Sequence, residues 1–337
     1  MTEMTNEQLS ALWNLARLDG RKALETIAEE EARTGRPADE VPEIAVCRAF
    51  ALLDVPNNDE AQRIATSAHQ ELGGDYSSWF TKSQVTLAWT YLNQGDLAIS
   101  QSLALEAFRI ARDNRDDEAT ALALSLRGWL NYRKGLDREA LEILNLSAQI
   151  SEHSGQHGEL AQRLVEIATT LRRTGKLKEA VAAYQKALDS LRHEQTPFRD
   201  LILDGIAYCQ ASTGSRVTAI RKLLGGADQA VAQNRPRVVA ARNFEVAQLL
   251  SQPSELTQSI AYGLRAAQVS RDAGLVYTGV NSMQLLVDSL RKNSEYEKAF
   301  EMEVELKRFE ENVKKQSEMR KLHFTMVRLQ GLGRKAA

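Results

Sequence analysis

The sequence predicts an all-α chain: about eight antiparallel helical hairpins, stacked into a right-handed superhelix and followed by one long C-terminal helix. Three observations carry this. Breakers are scarce, with 19 Gly and 6 Pro in 337 residues, while the helix formers Ala, Leu, Glu, Gln, Arg and Lys abound. Few stretches alternate apolar and polar residues, so strands have little support. Small residues and glycines also recur at a fixed step of forty positions.

The repeat is plainest in the middle. Leu87-Ala-Trp-Thr-Tyr-Leu-Asn-Gln-Gly95, Arg127-Gly-Trp-Leu-Asn-Tyr-Arg-Lys-Gly135 and Ile167-Ala-Thr-Thr-Leu-Arg-Arg-Thr-Gly175 align without gaps. Ala88, Gly128 and Ala168 keep the step, as do Gly95, Gly135 and Gly175, then Ser100, Ala140 and Ala180, then Ala107, Ser147 and Ala187. A small residue in the first helix lets the second come close. A glycine in the turn ends the first helix in a left-handed conformation. Weaker copies flank these. Upstream, one begins at Asn6 with Leu15, Ala23 and Ile27, and one has Ala49, Leu52 and Ala61 around a turn at Pro56-Asn57-Asn58. Downstream copies carry Ala207, Gly214 and Ala219, then Ala247, Pro253 and Ala267, then Val287, Tyr296 and Ala299. Polar or Gly/Pro-containing breaks separate the hairpins at Thr34–Pro42, Gly73–Ser78, Asp113–Asp117, Ser151–Gly158, His193–Phe198, Asn234–Arg237 and Asp272–Leu275.

Ala168, Leu171, Gly175, Ala180, Tyr184 and Ala187 reproduce the tetratricopeptide pattern, in which a helix with Leu and a small residue precedes Gly-x4-Ala-x3-Tyr-x2-Ala. The chain resembles that family, in a long version similar to the repeat sensors of bacterial signalling proteins. The resemblance implies a solenoid over residues 1–300, whose first helices line a concave, protein- or peptide-binding face. On that face it places Trp89, Asn93, Trp129, Tyr132, Arg133, Thr169, Arg172, Arg173, Asp204, Tyr208, Asn243 and Gln248, then Gln284, Asp288 and Arg291. Two tryptophans in one register with arginines beside them suit an extended peptide or an acidic segment. The alternatives stand beside this: the tryptophans pack between repeats, and Arg172 and Arg173 form a solvated face paired with local Glu.

Residues 301–337 form a second expected unit. From Tyr296 to about Gln330 the pattern runs without Gly or Pro, a helix of ~50 Å by its rise. Ala299, Leu306, Phe309 and Val313 share a face that caps the array. Met319, Leu322, Met326 and Leu329 make a short seam for homodimerisation or for docking on another protein. Leu306 to Arg320 resembles the connector between such sensors and a diguanylate cyclase or histidine kinase. Only Gly331 to Ala337 follows, so the resemblance implies neither activity here.

The formal net charge of −2 excludes a general attraction to nucleic acid or anionic membranes. No apolar run spans a bilayer and no secretory signal opens the chain, which implies a cytoplasmic protein. Cys47 and Cys209 read as separate buried hydrophobes. His153 and His157 read as loop residues rather than zinc ligands, and Gly225-Gly226 lacks the Lys-Ser/Thr of a phosphate loop. The sequence thus points to a non-enzymatic sensor or adaptor without cofactor or metal. A passive dimeric scaffold is the second reading. A regulator resembling peptide-sensing aspartate phosphatases ranks third, because residues 1–40 look too short for the helical bundle those proteins place before the array.

Overall fold

The computed structural model describes residues 4–55, 57–73, 77–155, 157–191, 196–211, 214 and 216–335, and side chains at these positions other than 323 and 327–335. Among them every regular element is helical. The hairpins are α1 (Asn6–Leu18) with α2 (Gly20–Thr34), α3 (Pro42–Ala51) with α4 (Asn58–Glu71), α5 (Ser78–Asn93) with α6 (Leu97–Asp113), and α7 (Asp117–Arg133) with α8 (Asp137–His153). Then come α9 (His157–Arg173) with α10 (Leu177–Ser190), α11 (Pro197–Gln210) with α12 (Arg216–Ala232), α13 (Pro236–Leu249) with α14 (Leu256–Asp272), and α15 (Val276–Lys292) with α16 (Tyr296–Lys335). The expected eight hairpins are present. His153 and His157 end and begin helices instead of lying in a loop. The turn residue Pro56 and the break residue His193 lie outside the described residues.

The forty-residue step has a local cause. Helices α6 to α9 are each 17 residues long. Each is joined to the next by about three residues, one of them left-handed. Gly95, Gly135 and Gly175 have φ of +86°, +76° and +77°, and Gly155 and Gly274 mark turns between hairpins. Arg115, Asn234 and Ser294 take the same conformation without glycine's freedom. Behind each such residue the chain bonds back across the last turn, as in Asp96 N–H to Tyr91 O at 2.8 Å, Leu136 N–H to Asn131 O at 3.0 Å and Lys176 N–H to Leu171 O at 3.0 Å. These closures satisfy carbonyls that the helix end leaves free.

Small residues do what their spacing predicts. Ala88, Ala140, Ala168 and Ala180 are fully buried where helices cross. A Cβ added at Gly128 would lie 2.5 Å from the buried Leu144 side chain of α8. In the sixth hairpin the close approach falls at Gly205, where an added Cβ would meet the Tyr184 ring at 2.4 Å, whereas the expected small position, Ala207, is only half-buried. Cys47 and Cys209 are buried and unlinked; burial pushes both thiols up, that of Cys47 far above the ordinary range.

Helix α16 is longer than expected, 40 residues or ~60 Å, and crosses position 300 without a break. Ala299 and Leu306 do pack on α15, beside Met283, Leu286 and Leu290. The helix then continues past the last hairpin. Val313 lies against Gly95, Arg320 binds Asp96 and donates to Gln94 O at 3.1 Å, and Phe324 meets Tyr91 edge-on at 5.6 Å. The face expected to cap one end is therefore a strap from the eighth hairpin to the third. Met319, Leu322 and Met326 sit on its outer side, 70%, 64% and 59% exposed. The Leu329 side chain is outside the described residues.

Candidate functional site

The coil closes on itself, and that closure defines the site. Arg17 of α1 reaches across the axis to Glu159 and Gln162 of α9, and Gln162 Nε2 donates back to Arg17 O at 3.1 Å. Arg21 donates to Gln233 O, and Arg235 pairs with Asp54 at 3.1 Å. Arg163, fully buried, lies between Glu159 and Glu166, and Ser125 donates to Glu166 at 2.8 Å. Burial, with Arg163 nearby, presses Arg17 down to about 9, so this ring of charges is held in a poorly solvated interior. Between α1–α3 on one side and α11–α13 on the other remains a cavity of about 320 Å³. Its wall includes Phe50, Asp54, Trp89, Asn93, Phe198 and Arg237.

From Trp89 an aromatic ladder leads along the inner wall. Trp89 and Trp129 meet edge-on at 6.3 Å and Trp129 and Tyr132 edge-on at 4.8 Å, while Tyr132 and Tyr277 of α15 are tilted at 6.2 Å. Arginines lie over these rings: Arg173 over Tyr132 at 3.5 Å, Arg133 over Tyr277 at 3.7 Å, and Arg172 over Tyr208 at 4.5 Å. Burial and then Tyr277 push the Tyr132 hydroxyl up to about 12. Trp89, Trp129, Tyr132, Arg133, Arg172 and Arg173 are nevertheless only half-buried. Groups crowded by protein yet touched by solvent are what a narrow channel produces.

Six of the residues expected on the inner wall thus come together: Trp89, Asn93, Trp129, Tyr132, Arg133 and Arg173. Asn93 is mostly buried and bonds Asn58 at 3.4 Å. Both tryptophans pack between repeats, and Trp89 also lines the cavity. Arg173 is shared with Asp137, Nε to Oδ1 at 2.8 Å, and touches the Tyr277 hydroxyl at 3.4 Å. Four other residues are committed elsewhere. Arg172 binds Glu245 at 2.5 Å; burial opposes its charge, but Glu245 outweighs it and holds the guanidinium protonated more firmly than usual. Tyr208 donates to Gln248 at 3.2 Å. Asp204 is locked to Arg242, and burial nonetheless lifts its carboxyl to about 6. Asn243 is a correction: it is fully buried, donates to Val239 O at 2.7 Å within its own helix, and does not line the cavity.

Sequence reasoning missed Tyr277, Arg237, Asp54 and Phe198. They come from α15, α13, the turn after α3 and α11, so only closure of the coil brings them to the wall. One signal was present: Gly226. An added Cβ there would come 2.3 Å from Arg242, so Gly226 makes room for the arginine that crosses to Asp204.

Helical hairpins in this register around an enclosed wall define a tetratricopeptide-type array. Residues 161–190 match the tetratricopeptide repeat family. The fold is similar to that of a Rap protein solved in complex with competence and sporulation factor, at 12% identity and a TM-score of 0.69, covering 94% of this chain and 90% of that one. It is also similar to the Rap conjugation gene regulator of plasmid pLS20 in complex with the Phr* peptide, at 13% identity and a TM-score of 0.58, with 91% and 98% covered. The third likeness is to a STAND protein with a tetratricopeptide repeat sensor from Pyrococcus horikoshii, at 14% identity and a TM-score of 0.52, covering 92% of this chain and 50% of that one. No curated protein sequence matches. At these identities the likeness shows the fold. It spans nine-tenths of the first Rap chain. Among the described residues no helix is long and apolar enough to cross a membrane.

Proposed function

We propose that this protein is a cytoplasmic sensor or adaptor that holds an extended peptide or protein segment in its inner channel and relays occupancy through α16. One observation carries this reading: the continuous ladder Trp89–Trp129–Tyr132–Tyr277, flanked by stacked arginines and opening on the cavity between α1–α3 and α11–α13. Rigid rings and planar guanidiniums give contact area at low entropic cost. Two solved structures of similar fold hold a peptide or peptide factor, which fits the same use here.

The relay follows from contacts. Tyr277 of α15 belongs to the ladder, α15 pairs with α16, and α16 binds the α5–α6 turn through Arg320 and Asp96. A ligand that changes the spacing between α7 and α15 changes the geometry under the strap, a population shift between two packings. The test is selection from a peptide library, followed by titration of wild type, Trp129→Ala/Arg173→Gln and the outer-face control Leu146→Ala. The expected result is a loss of tenfold or more in the first variant and wild-type affinity in the control. Equal affinity in all three removes the channel from the account.

A further inference from the structure

The cavity between α1–α3 and α11–α13 has a chemistry of its own. At about 320 Å³ it lies at the small end of ligand pockets, room for one residue-sized group rather than a length of chain. Three rings line it, Phe50, Trp89 and Phe198, each half-buried, and so does Leu201, a large apolar side chain left 45% exposed. Four arginines line it as well. Arg17 is matched by Glu159, Arg235 by Asp54 and Arg242 by Asp204. Arg237 has neither ion pair nor hydrogen bond among the described residues, and the other acidic residue of the wall, Asp200, is solvent-exposed. Arg237 also belongs to the first turn of α13, which lines the cavity through Arg235, Arg237 and Val238. The N-cap residue Arg235 makes no side-chain hydrogen bond to that turn, so its first amides go uncapped. The positive end of a 14-residue helix and an unpaired guanidinium therefore share one wall.

We propose that this cavity is a pocket for a carboxylate carried on an aromatic or branched apolar group, with Arg237 and the first turn of α13 donating to its oxygens and the three rings enclosing its apolar part. The proposal rests on the enclosed wall being the ligand site and names what one position of it takes. A planar guanidinium presents forked donors that match a carboxylate. Aromatic side chains give a large apolar contact area to the group beside it. Enclosure strengthens the attraction relative to bulk water. Burial presses the Arg237 guanidinium below its ordinary range, against the pull of Asp54, as befits an enclosed cation whose counter-ion is engaged elsewhere. A peptide's C-terminal hydrophobic residue and a free aromatic acid share the required chemistry. An internal Asp or Glu does not, because its carboxylate sits on a short stem with no apolar group to fill the ring-lined space.

The experiment titrates the full chain calorimetrically with N-acetyl-phenylalanine, its C-terminal amide, N-acetylglycine and 3-phenylpropionate at matched ionic strength. Wild type should bind N-acetyl-phenylalanine, and should bind the amide, which lacks the charge, about tenfold or more weakly. N-acetylglycine, which lacks the ring, should also bind more weakly. Arg237→Gln should lose the preference for acid over amide, and Arg237→Lys should keep part of it. Phe198→Ala should weaken acid and amide together and leave the preference in place. Tighter binding of N-acetyl-phenylalanine than of 3-phenylpropionate assigns a peptide terminus, and the reverse order a free acid. Without ligand, Arg237→Gln should melt no lower than wild type; a clearly lower Tm means that Arg237 already has its partner within the fold, and overturns the pocket. So does equal binding of acid and amide by wild type, an acid preference that survives Arg237→Gln, or no binding of any probe. A library-selected peptide separates this failure from that of the channel. If it binds Arg237→Gln and Phe198→Ala normally but loses affinity for Trp129→Ala/Arg173→Gln, the pocket falls and the channel stands.

Discussion

The middle of the array, α5 to α10, and the wall it encloses are held by different kinds of contact. In the middle, each helix packs on its sequence neighbours through small residues such as Ala140, Ala168 and Ala180. Across the axis the partners are far apart in sequence: Arg17 with Glu159, Asp54 with Arg235, Asp96 with Arg320. Those contacts are charged, whereas the crossings within hairpins are closed by small apolar residues. The difference separates two jobs. Nearest-neighbour packing builds a solenoid of any length. The charged cross-axis contacts fix how tightly this one coils, and so the width of its channel.

The largest effect should come from breaking a buried cross-wall pair. Arg242→Ala leaves the Asp204 carboxylate buried and unpartnered and should cost about 3–5 kcal/mol in urea unfolding at pH 8. That cost should shrink as the pH falls, because Asp204 can then protonate. The sign in wild type is the same: burial raises Asp204 from 3.8 to about 6 in the folded protein. Its contribution to stability is therefore full below pH ~4 and is lost as the pH rises through ~6. Asp204→Asn should remove that segment of the pH–stability curve, and an unchanged curve would refute the assignment. Next comes the neighbour-packed region. Leu144→Ala empties a fully buried site against Gly128 and should cost about 2–4 kcal/mol with no change in peptide affinity beyond that of global stability.

A smaller effect should follow from the strap. Arg320→Gln removes the partner of Asp96 and should weaken α16 docking by about 1.5–3 kcal/mol. Hydrogen exchange should then accelerate in α16 beyond Val313 while α7 to α10 keep their protection; uniform acceleration would mean the strap is part of the global folding unit. The smallest stability effect belongs to the exposed seam. Leu322→Glu/Met326→Glu should change monomer stability by about 0.5 kcal/mol or less. Sedimentation decides its role: an unchanged mass removes the dimer reading.

How much of this was legible follows the same division. Gly95, Gly135 and Gly175 announce helix ends because a left-handed turn has few alternatives, and Ala88, Gly128 and Ala168 announce crossings because close approach excludes a side chain. The first helices' inward faces were legible as far as Trp129, Tyr132, Arg133 and Arg173. The opposite wall was not. Periodicity reports on neighbours, and Tyr277, Arg237 and Asp54 reach the site only through the curvature summed over several hairpins. Asn243 stands at the forty-step equivalent of Ser83, Ala123 and Arg163, all buried, and not of Trp89 or Asn93, so it packs inside as they do. Helix α16 was legible in length and apolar faces, but which face would meet the third hairpin depends on the coil's closure.

A ligand is expected to lie along the enclosed wall. Hydrogen exchange of the protein with a library-selected peptide, compared with the free protein, tests this most directly. New protection should concentrate in the C-terminal turns of α5, α7 and α9 and in the N-terminal half of α15, around Tyr277. Protection confined to the outer helices α6, α8 and α10, or to the exposed side of α16, would contradict it.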